Sequence, residues 1–127
     1  MNKKKLENVI ALPVQERYAY FVRKVTDFEE VWALSHEAGF ATLSDDKGIV
    51  VPFWPEEEFA LLCCSDQWEK YTPKLISLDD FMHKWLPGME KDGRKVNVFY
   101  LPDTGPGNII GPLDLLKDLK EELQNYL

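Results

Sequence analysis

Apolar side chains follow a helical period in some segments of this chain and form short extended runs in others. After Pro13, the apolar residues share one helical face and basic residues lie on the other side, which predicts an amphipathic helix packed on a sheet. The core-facing set is Val14, Tyr18, Phe21, Val22 and Val25. A shorter helical spacing precedes it at Leu6, Val9 and Ile10. Near the C-terminus a leucine repeat predicts a second amphipathic helix that begins near Pro112. Its members are Leu113, Leu116, Leu119, Leu123 and Leu127.

Three extended segments follow the first amphipathic helix. Residues 31–35, 40–44 and 48–53 have the composition of strands, and 45–48 (Asp-Asp-Lys-Gly) supplies turn chemistry between the last two. This order predicts an antiparallel meander. Pro55, followed by three glutamates, then predicts a helix that runs to about Cys64.

The second half of the chain alternates strand and helix. A short strand at 74–77 leads to Ser77, which is placed to cap a helix with one apolar face. That face contains Leu78, Phe81, Met82 and Trp85, and Pro87-Gly88 is predicted to end the helix. A strongly apolar strand at 96–101 is expected to lie centrally in the sheet.

These elements predict the α+β class. Two right-handed crossovers between residues 48 and 101 would place parallel strands side by side. We therefore expect a single mixed sheet of about five strands, packed by N-terminal, central and C-terminal helices. We also expect one domain over residues 1–127, because this length suits a single core and no linker interrupts it.

Charge and hydropathy limit the classes of partner. The net charge is −7, and residues 1–24 hold six Lys/Arg against two Glu while the rest holds nine against twenty acids. Such a body repels phosphate backbones, so we expect no nucleic-acid partner and favour a basic or neutral protein. No run approaches the roughly 18 apolar residues of a membrane span. Glu7 and Asn8 interrupt the start of a signal-peptide pattern, so a cytoplasmic location is expected.

Residues that could act in catalysis or metal binding are present, but they do not have the spacing that such a site requires. Cys63 and Cys64 are adjacent and are interpreted as reduced, packed thiols, since neighbouring cysteines form only a strained disulfide. His36 and His83 belong to no zinc motif, and no nucleophile elbow exists. We therefore expect no enzyme activity, no metal and no cofactor, and would look for a nucleophile first at either cysteine with His83.

Two further clusters have ordinary structural interpretations. Glutamates 56–58, together with Asp45 and Asp46, are interpreted as a solvated helix start and turn and not as a cation site. The glycines at 105, 107 and 111 do not have dinucleotide-binding spacing, and Pro106 and Pro112 remove two amides. We interpret residues 103–111 as a loop that joins the last strand to the final helix.

Aromatic residues are concentrated between positions 53 and 100. Most are expected in the core. Trp54, between two prolines, is the candidate for partial exposure, and Trp54, Trp68 and Tyr71 are the candidate interaction residues.

Several short motifs together resemble a known family. They are Leu12-Pro13, Pro52-Phe53-Trp54-Pro55, Trp68, Tyr71, Pro73, Leu78-Asp79-Asp80-Phe81, Trp85-Leu86-Pro87-Gly88-Met89 and Val98-Phe99. In this order they resemble the bacterial domain-of-unknown-function family 2750, over nearly the whole chain. The resemblance implies a fold and a bacterial origin, and it transfers no catalytic residue. A weaker pattern over residues 48–123 is similar to the N-terminal domain of SseB-type enhancer proteins and favours a protein-interaction role.

Three functions are consistent with these features. The first is a non-enzymatic protein-interaction module, which the aromatic cluster and the acidic surface favour. The second is an immunity or antitoxin protein that neutralises a basic toxin through complementary charge. The third is a small-molecule-binding protein or enzyme, which requires a preformed pocket with convergent polar groups.

Overall fold

The computed structural model describes residues 1–105 and 107–126. Its strands are β1 (Glu30–His36), β2 (Gly39–Phe40), β3 (Leu43–Asp45), β4 (Gly48–Phe53), β5 (Thr72–Ser77), β6 (Lys95–Val98) and β7 (Asn108–Ile110). Its α-helices are α1 (Lys3–Ile10), α2 (Val14–Phe28), α3 (Glu57–Leu62), α4 (Leu78–Asp80), α5 (Leu86–Lys91) and α6 (Pro112–Leu123). A π-helical turn (Phe81–Trp85) joins α4 to α5, and 3-10 turns occupy Asp66–Trp68 and Gln124–Tyr126.

The terminal helices form where the apolar periodicity predicts them. In α2 the side chains of Tyr20, Phe21, Val22 and Val25 are buried. In α6, which begins at Pro112, Leu119 is buried as predicted, but the predicted Leu113 is 49% exposed and Leu115 is buried in its place. Leu127 lies outside the described residues. The two helices pack against each other, so one apolar stripe covers the other.

The strands confirm the α+β class but not the single sheet. The described strands form a three-stranded sheet in the order β2-β1-β5 and a four-stranded sheet in the order β3-β4-β6-β7. They meet at an antiparallel bridge in which Trp32 and Trp54 exchange two main-chain hydrogen bonds, at 2.9 and 2.8 Å. The predicted single sheet is therefore wrong.

The predicted strand at 40–44 is divided between the two sheets. Phe40 pairs with β1 at Ser35, whereas Leu43 pairs with β4 at Val50. The buried Ala41 lies at the division, where its N–H donates to the Leu34 carbonyl at 2.9 Å. The three-stranded meander therefore becomes two separate antiparallel pairs.

Neither of the two predicted crossovers, from β4 to β5 and from β5 to β6, joins neighbouring parallel strands. The strands β4 and β6 pair in parallel, from Val50↔Lys95 to Phe53↔Val98. The intervening β5 pairs instead with β1, antiparallel, from Glu30↔Ser77 to Ser35↔Thr72. As predicted, β6 is central in its sheet, but it ends at Val98 because Phe99 adopts a left-handed backbone with φ of 59°.

The helix predicted to end at Pro87-Gly88 continues to Lys91. In the π turn the Leu86 N–H donates to the Phe81 carbonyl, five residues back. Pro87 then occupies the first turn of α5, where a proline without an N–H is tolerated. The chain leaves the helix at Gly93, whose φ is 70°. The glycine that ends the helix is thus Gly93, and Gly88 lies inside it.

The start of the same helix is as predicted. Ser77 Oγ accepts a hydrogen bond from the Asp80 N–H at 3.1 Å. Leu78, Phe81 and Met82 are buried, whereas Trp85 is half-buried.

Replacing Ser77 by alanine is expected to lower the free energy of unfolding by about 1 kcal/mol, because one N–H of the first turn loses its acceptor. Ser65 is the matched control, since it precedes a 3-10 turn but makes no side-chain capping bond. Urea unfolding of Ser77→Ala and Ser65→Ala measures the difference. Equal losses in the two variants would show that the Ser77 cap contributes nothing.

The largest core side chains come from both sheets and from the helices between them. Those with no exposed surface include Phe21, Phe53, Trp54, Phe59, Phe81 and Phe99. The rings of Phe53 and Phe81 are 4.8 Å apart, as are those of Phe59 and Phe99. Within the residues described above, no helix combines the length and apolarity that crossing a membrane requires.

Candidate functional site

The three aromatic residues predicted to contact a partner are held mainly by the protein itself. Trp54 has no exposed surface, and its indole N–H donates to the Tyr100 carbonyl at 2.6 Å. The expected partial exposure of Trp54 is therefore wrong: its main chain is anchored by the bridge to Trp32, and the indole is enclosed by neighbouring side chains and the Tyr100 carbonyl. The ring of Trp68 packs edge-on against Trp54, with centroids 6.3 Å apart. Tyr71 is half-buried and lies 5.5 Å from the ring of His36.

The two cysteines are structural neighbours of this aromatic cluster. The Cys63 thiol donates to the Tyr100 carbonyl at 3.5 Å, and the Cys64 thiol donates to the Ala60 carbonyl at 3.5 Å. Burial raises the pKa of Cys63 to about 12, with a smaller contribution from Cys64, and burial also raises the pKa of Cys64. Both thiols are therefore protonated at neutral pH, which is unfavourable for a nucleophile.

His83 belongs to a different part of the fold. It is exposed on the π turn, where its ring lies 3.1 Å from Asp79. In the part of the chain that the structure describes, neither thiol is hydrogen-bonded to it. The suggested cysteine and histidine pair is not brought together.

The acidic and glycine-rich segments were considered above as possible metal and phosphate sites. Across residues 1–105 and 107–126, no three His, Cys, Asp or Glu side chains converge in a way that could hold a metal ion. The segment 103–111, predicted to be a loop, contains the strand β7. An added Cβ at Gly107 would lie 2.4 Å from Asn97 Oδ1, so this glycine allows the turn to pack on β6. Pro106 lies outside the described residues.

An exposed apolar surface lies where β1 and β5 meet the end of α2 and the start of α3. Phe28 is 52% exposed and Leu75 is 47% exposed, and Trp32 is half-buried. Trp32 and Leu75 are directly paired across the antiparallel strands, so both point to the same side of the sheet. Leu61, 52% exposed, lies one helical turn from Glu57 and Glu58.

Acidic side chains lie beside Phe28 and Trp32. Glu30, Glu56, Glu57 and Glu58 line a cavity of about 270 Å³ together with Phe28 and Trp32. Tyr20 donates its hydroxyl hydrogen bond to Glu56, and the N-terminal ammonium lies 3.8 Å from Glu58. We call Phe28, Trp32, Leu61, Leu75 and these four glutamates the β1–α3 surface.

The sequence does not indicate the β1–α3 surface, because local patterns do not report strand neighbours. Trp32 and Leu75 are 43 positions apart, and only the pairing of β1 with β5 places them together. The sequence pattern at Trp32 is the apolar run 31–34. Because this run has no polar residue, it does not indicate which face of the strand remains exposed to solvent.

The fold and this surface define a small α+β protein with a net charge of −7 and an exposed apolar patch among its described residues. Residues 18–119 match the family described as "Protein of unknown function (DUF2750)", and the chain belongs to that family. This confirms the family resemblance in the sequence, whereas the similarity to SseB-type enhancers stays a prediction. No curated protein matches the chain.

Proposed function

We propose that this chain is a non-enzymatic protein-interaction module whose β1–α3 surface binds a basic segment of a partner protein that carries apolar side chains. The observation that carries the proposal is the group of exposed apolar residues next to four glutamates. Phe28, Leu61 and Leu75 each leave about half of their surface in contact with solvent. Contiguous apolar patches with a polar rim are typical of protein contact sites.

The charges around the apolar patch favour a partner segment with positive charge. Over residues 1–105 and 107–126, no salt bridge engages Glu30 or Glu57. Two cations lie close to the surface: the N-terminal ammonium is beside Glu58, and Lys24 Nζ lies 5.4 Å from the centre of the Phe28 ring. With a net charge of −7 on the chain, a basic segment associates faster and an acidic one is rejected.

Phe28, Trp32 and Leu75 supply the apolar part of the contact. The main chain of Trp32 is held by its hydrogen bonds to Trp54, so the indole projects from a fixed backbone. Large aromatic residues on rigid elements are the usual anchors of interfaces. The cavity between Phe28 and the glutamates has room for one long side chain, and a lysine or arginine stem fits both its apolar wall and its acidic rim.

The test is a selection from a random peptide display library, followed by fluorescence anisotropy of the recovered peptides. Recovered sequences are expected to combine Lys or Arg with large apolar residues. Leu75→Ser is expected to weaken binding about tenfold or more, and Glu57→Lys should weaken it similarly and reduce the salt dependence. Both positions are exposed, so the stability of these variants should stay within about 0.5 kcal/mol of wild type.

Leu113 on α6 provides the matched control, because it is 49% exposed and lies outside the β1–α3 surface. Leu113→Ser should leave peptide binding unchanged. The proposal is wrong if recovered peptides are acidic or neutral, or if Leu113→Ser and Leu75→Ser weaken binding equally.

A further inference from the structure

A second cavity lies on a different part of the molecule, between β2, β4, the π turn and α5. Its volume is about 480 Å³, within the range of sites that hold small molecules. None of its lining residues belongs to the β1–α3 surface. Its properties therefore stand independently of the proposed function.

The wall of this cavity is aromatic and rigid. The ring of Trp85 packs edge-on against Phe40 at 4.7 Å and against Phe53 at 5.8 Å, which fixes the orientation of the indole. Val51 and Met89, which are almost fully buried, complete the apolar wall. A flat or branched apolar group entering here meets side chains that are already ordered, so binding requires little reorganisation.

Gly88 keeps the cavity open. It lies inside the helix, where glycine is less favourable than alanine by about 1 kcal/mol. A Cβ added at Gly88 would meet no atom within 4 Å, so no internal packing requires this glycine. Since Gly88 lines the cavity, a larger side chain there would occupy the space that a ligand needs.

Two opposite charges lie on the rim. Asp92 and Arg94 both line the cavity, and in the described part of the chain neither side chain takes part in a salt bridge or a side-chain hydrogen bond. The third charged residue, Lys84, is already 3.4 Å from Asp80. A ligand with a single charge would be attracted by one of the two free groups and repelled by the other. A ligand with both charges close together is complementary to the rim.

We propose that this cavity binds a free apolar α-amino acid as its zwitterion. The Arg94 guanidinium receives the carboxylate, because its planar donor fork matches the two carboxylate oxygens. Asp92 accepts hydrogen bonds from the ammonium group. The apolar side chain lies against Phe40, Trp85 and Met89.

The probes are L-phenylalanine and two analogues that each lack one charge, 3-phenylpropionate and 2-phenylethylamine. Binding is measured by isothermal titration and by the shift of the Trp85 indole N–H signal in ¹H–¹⁵N spectra. L-phenylalanine is expected to bind, and each analogue to bind at least about tenfold more weakly, because it leaves one rim charge without its partner.

Two variants locate the site. Gly88→Leu is expected to abolish the Trp85 signal shift by filling the cavity, and Arg94→Gln to weaken binding about tenfold. Arg94 is exposed, so the second variant keeps the test valid if Gly88→Leu fails to fold. Lys117→Gln, on α6, is the charge control and should bind normally, as should Leu75→Ser. Equal binding of L-phenylalanine and either analogue, no Trp85 shift up to about 10 mM ligand, or unchanged binding by Arg94→Gln would overturn the proposal.

Discussion

Replacing Trp54 by alanine is expected to lower the free energy of unfolding by about 3–5 kcal/mol, the range for removing a fully buried large aromatic side chain. Trp54 has no exposed surface. Its removal leaves a cavity beside Trp68 and deprives the Tyr100 carbonyl of its indole donor. Both losses act at the point where the two sheets meet, because the main chain of Trp54 is bonded to Trp32.

Two companion variants separate the contributions. Trp54→Phe retains most of the apolar volume but loses the hydrogen bond to Tyr100, so a cost of about 1–2 kcal/mol is expected. Trp32→Ala removes a half-exposed ring while its main-chain bonds remain, and its cost should be smaller than that of Trp54→Ala. Urea unfolding followed by circular dichroism compares the three. A Trp54→Ala protein within about 1 kcal/mol of wild type would contradict the observed burial of the indole.

Replacing Arg17 by methionine is expected to raise the free energy of unfolding by about 1–2 kcal/mol. The Arg17 side chain is 4% exposed, and Nη1 donates to the Leu12 carbonyl at 3.1 Å. Nε and Nη2 meet no protein acceptor in residues 1–105 and 107–126. Burial also lowers the pKa of Arg17, which reflects the cost of taking its charge out of water. Methionine keeps an apolar stem of similar length without that cost.

The controls for this prediction lie on the same helix. Arg23→Met should change stability by less than about 0.5 kcal/mol, because Arg23 is exposed. Arg17→Ala should destabilise the protein, since it removes the packed stem as well as the charge. Thermal and urea unfolding of the three variants provide the measurement. A loss of stability in Arg17→Met would mean that the hydrogen bond to Leu12 outweighs the burial of the guanidinium.

The helices were predictable from the sequence because their information is local. Five apolar positions in α2 and the leucines of α6 repeat at 3.6-residue spacing, and Ser77 has a capping pattern that needs only three residues. The end of α5 was not predictable in the same way. Proline and glycine normally stop a helix, but the π turn places Pro87 in a first turn, and nothing local to Pro87-Gly88 indicates that turn.

Strand partners and surface exposure depend on contacts between distant segments. The residue types at 74–77 indicate a strand, but they do not indicate that this strand, β5, pairs with β1 and not with β4. The burial of Trp54 has the same origin: neighbouring prolines suggest a loop, whereas the bridge to Trp32 makes the position part of the core. Neither the β1–α3 surface nor the cavity beside Trp85 is contiguous in sequence, so residue types alone indicated neither one.

The π turn has a consequence for how this chain tolerates insertions and deletions. A π turn holds one residue more than the α-helical turn that it replaces. Deleting one residue from Phe81–Trp85 would convert the π turn into an α-helical turn, and the side chains beyond it would keep nearly the same direction about the helix axis. Leu86 and Met89 would stay on the core-facing side, and Gly88 would still line the cavity. In a regular helix the same deletion would rotate every later side chain by about 100°, so the π turn is the place where this helix can lose one residue without losing its packing.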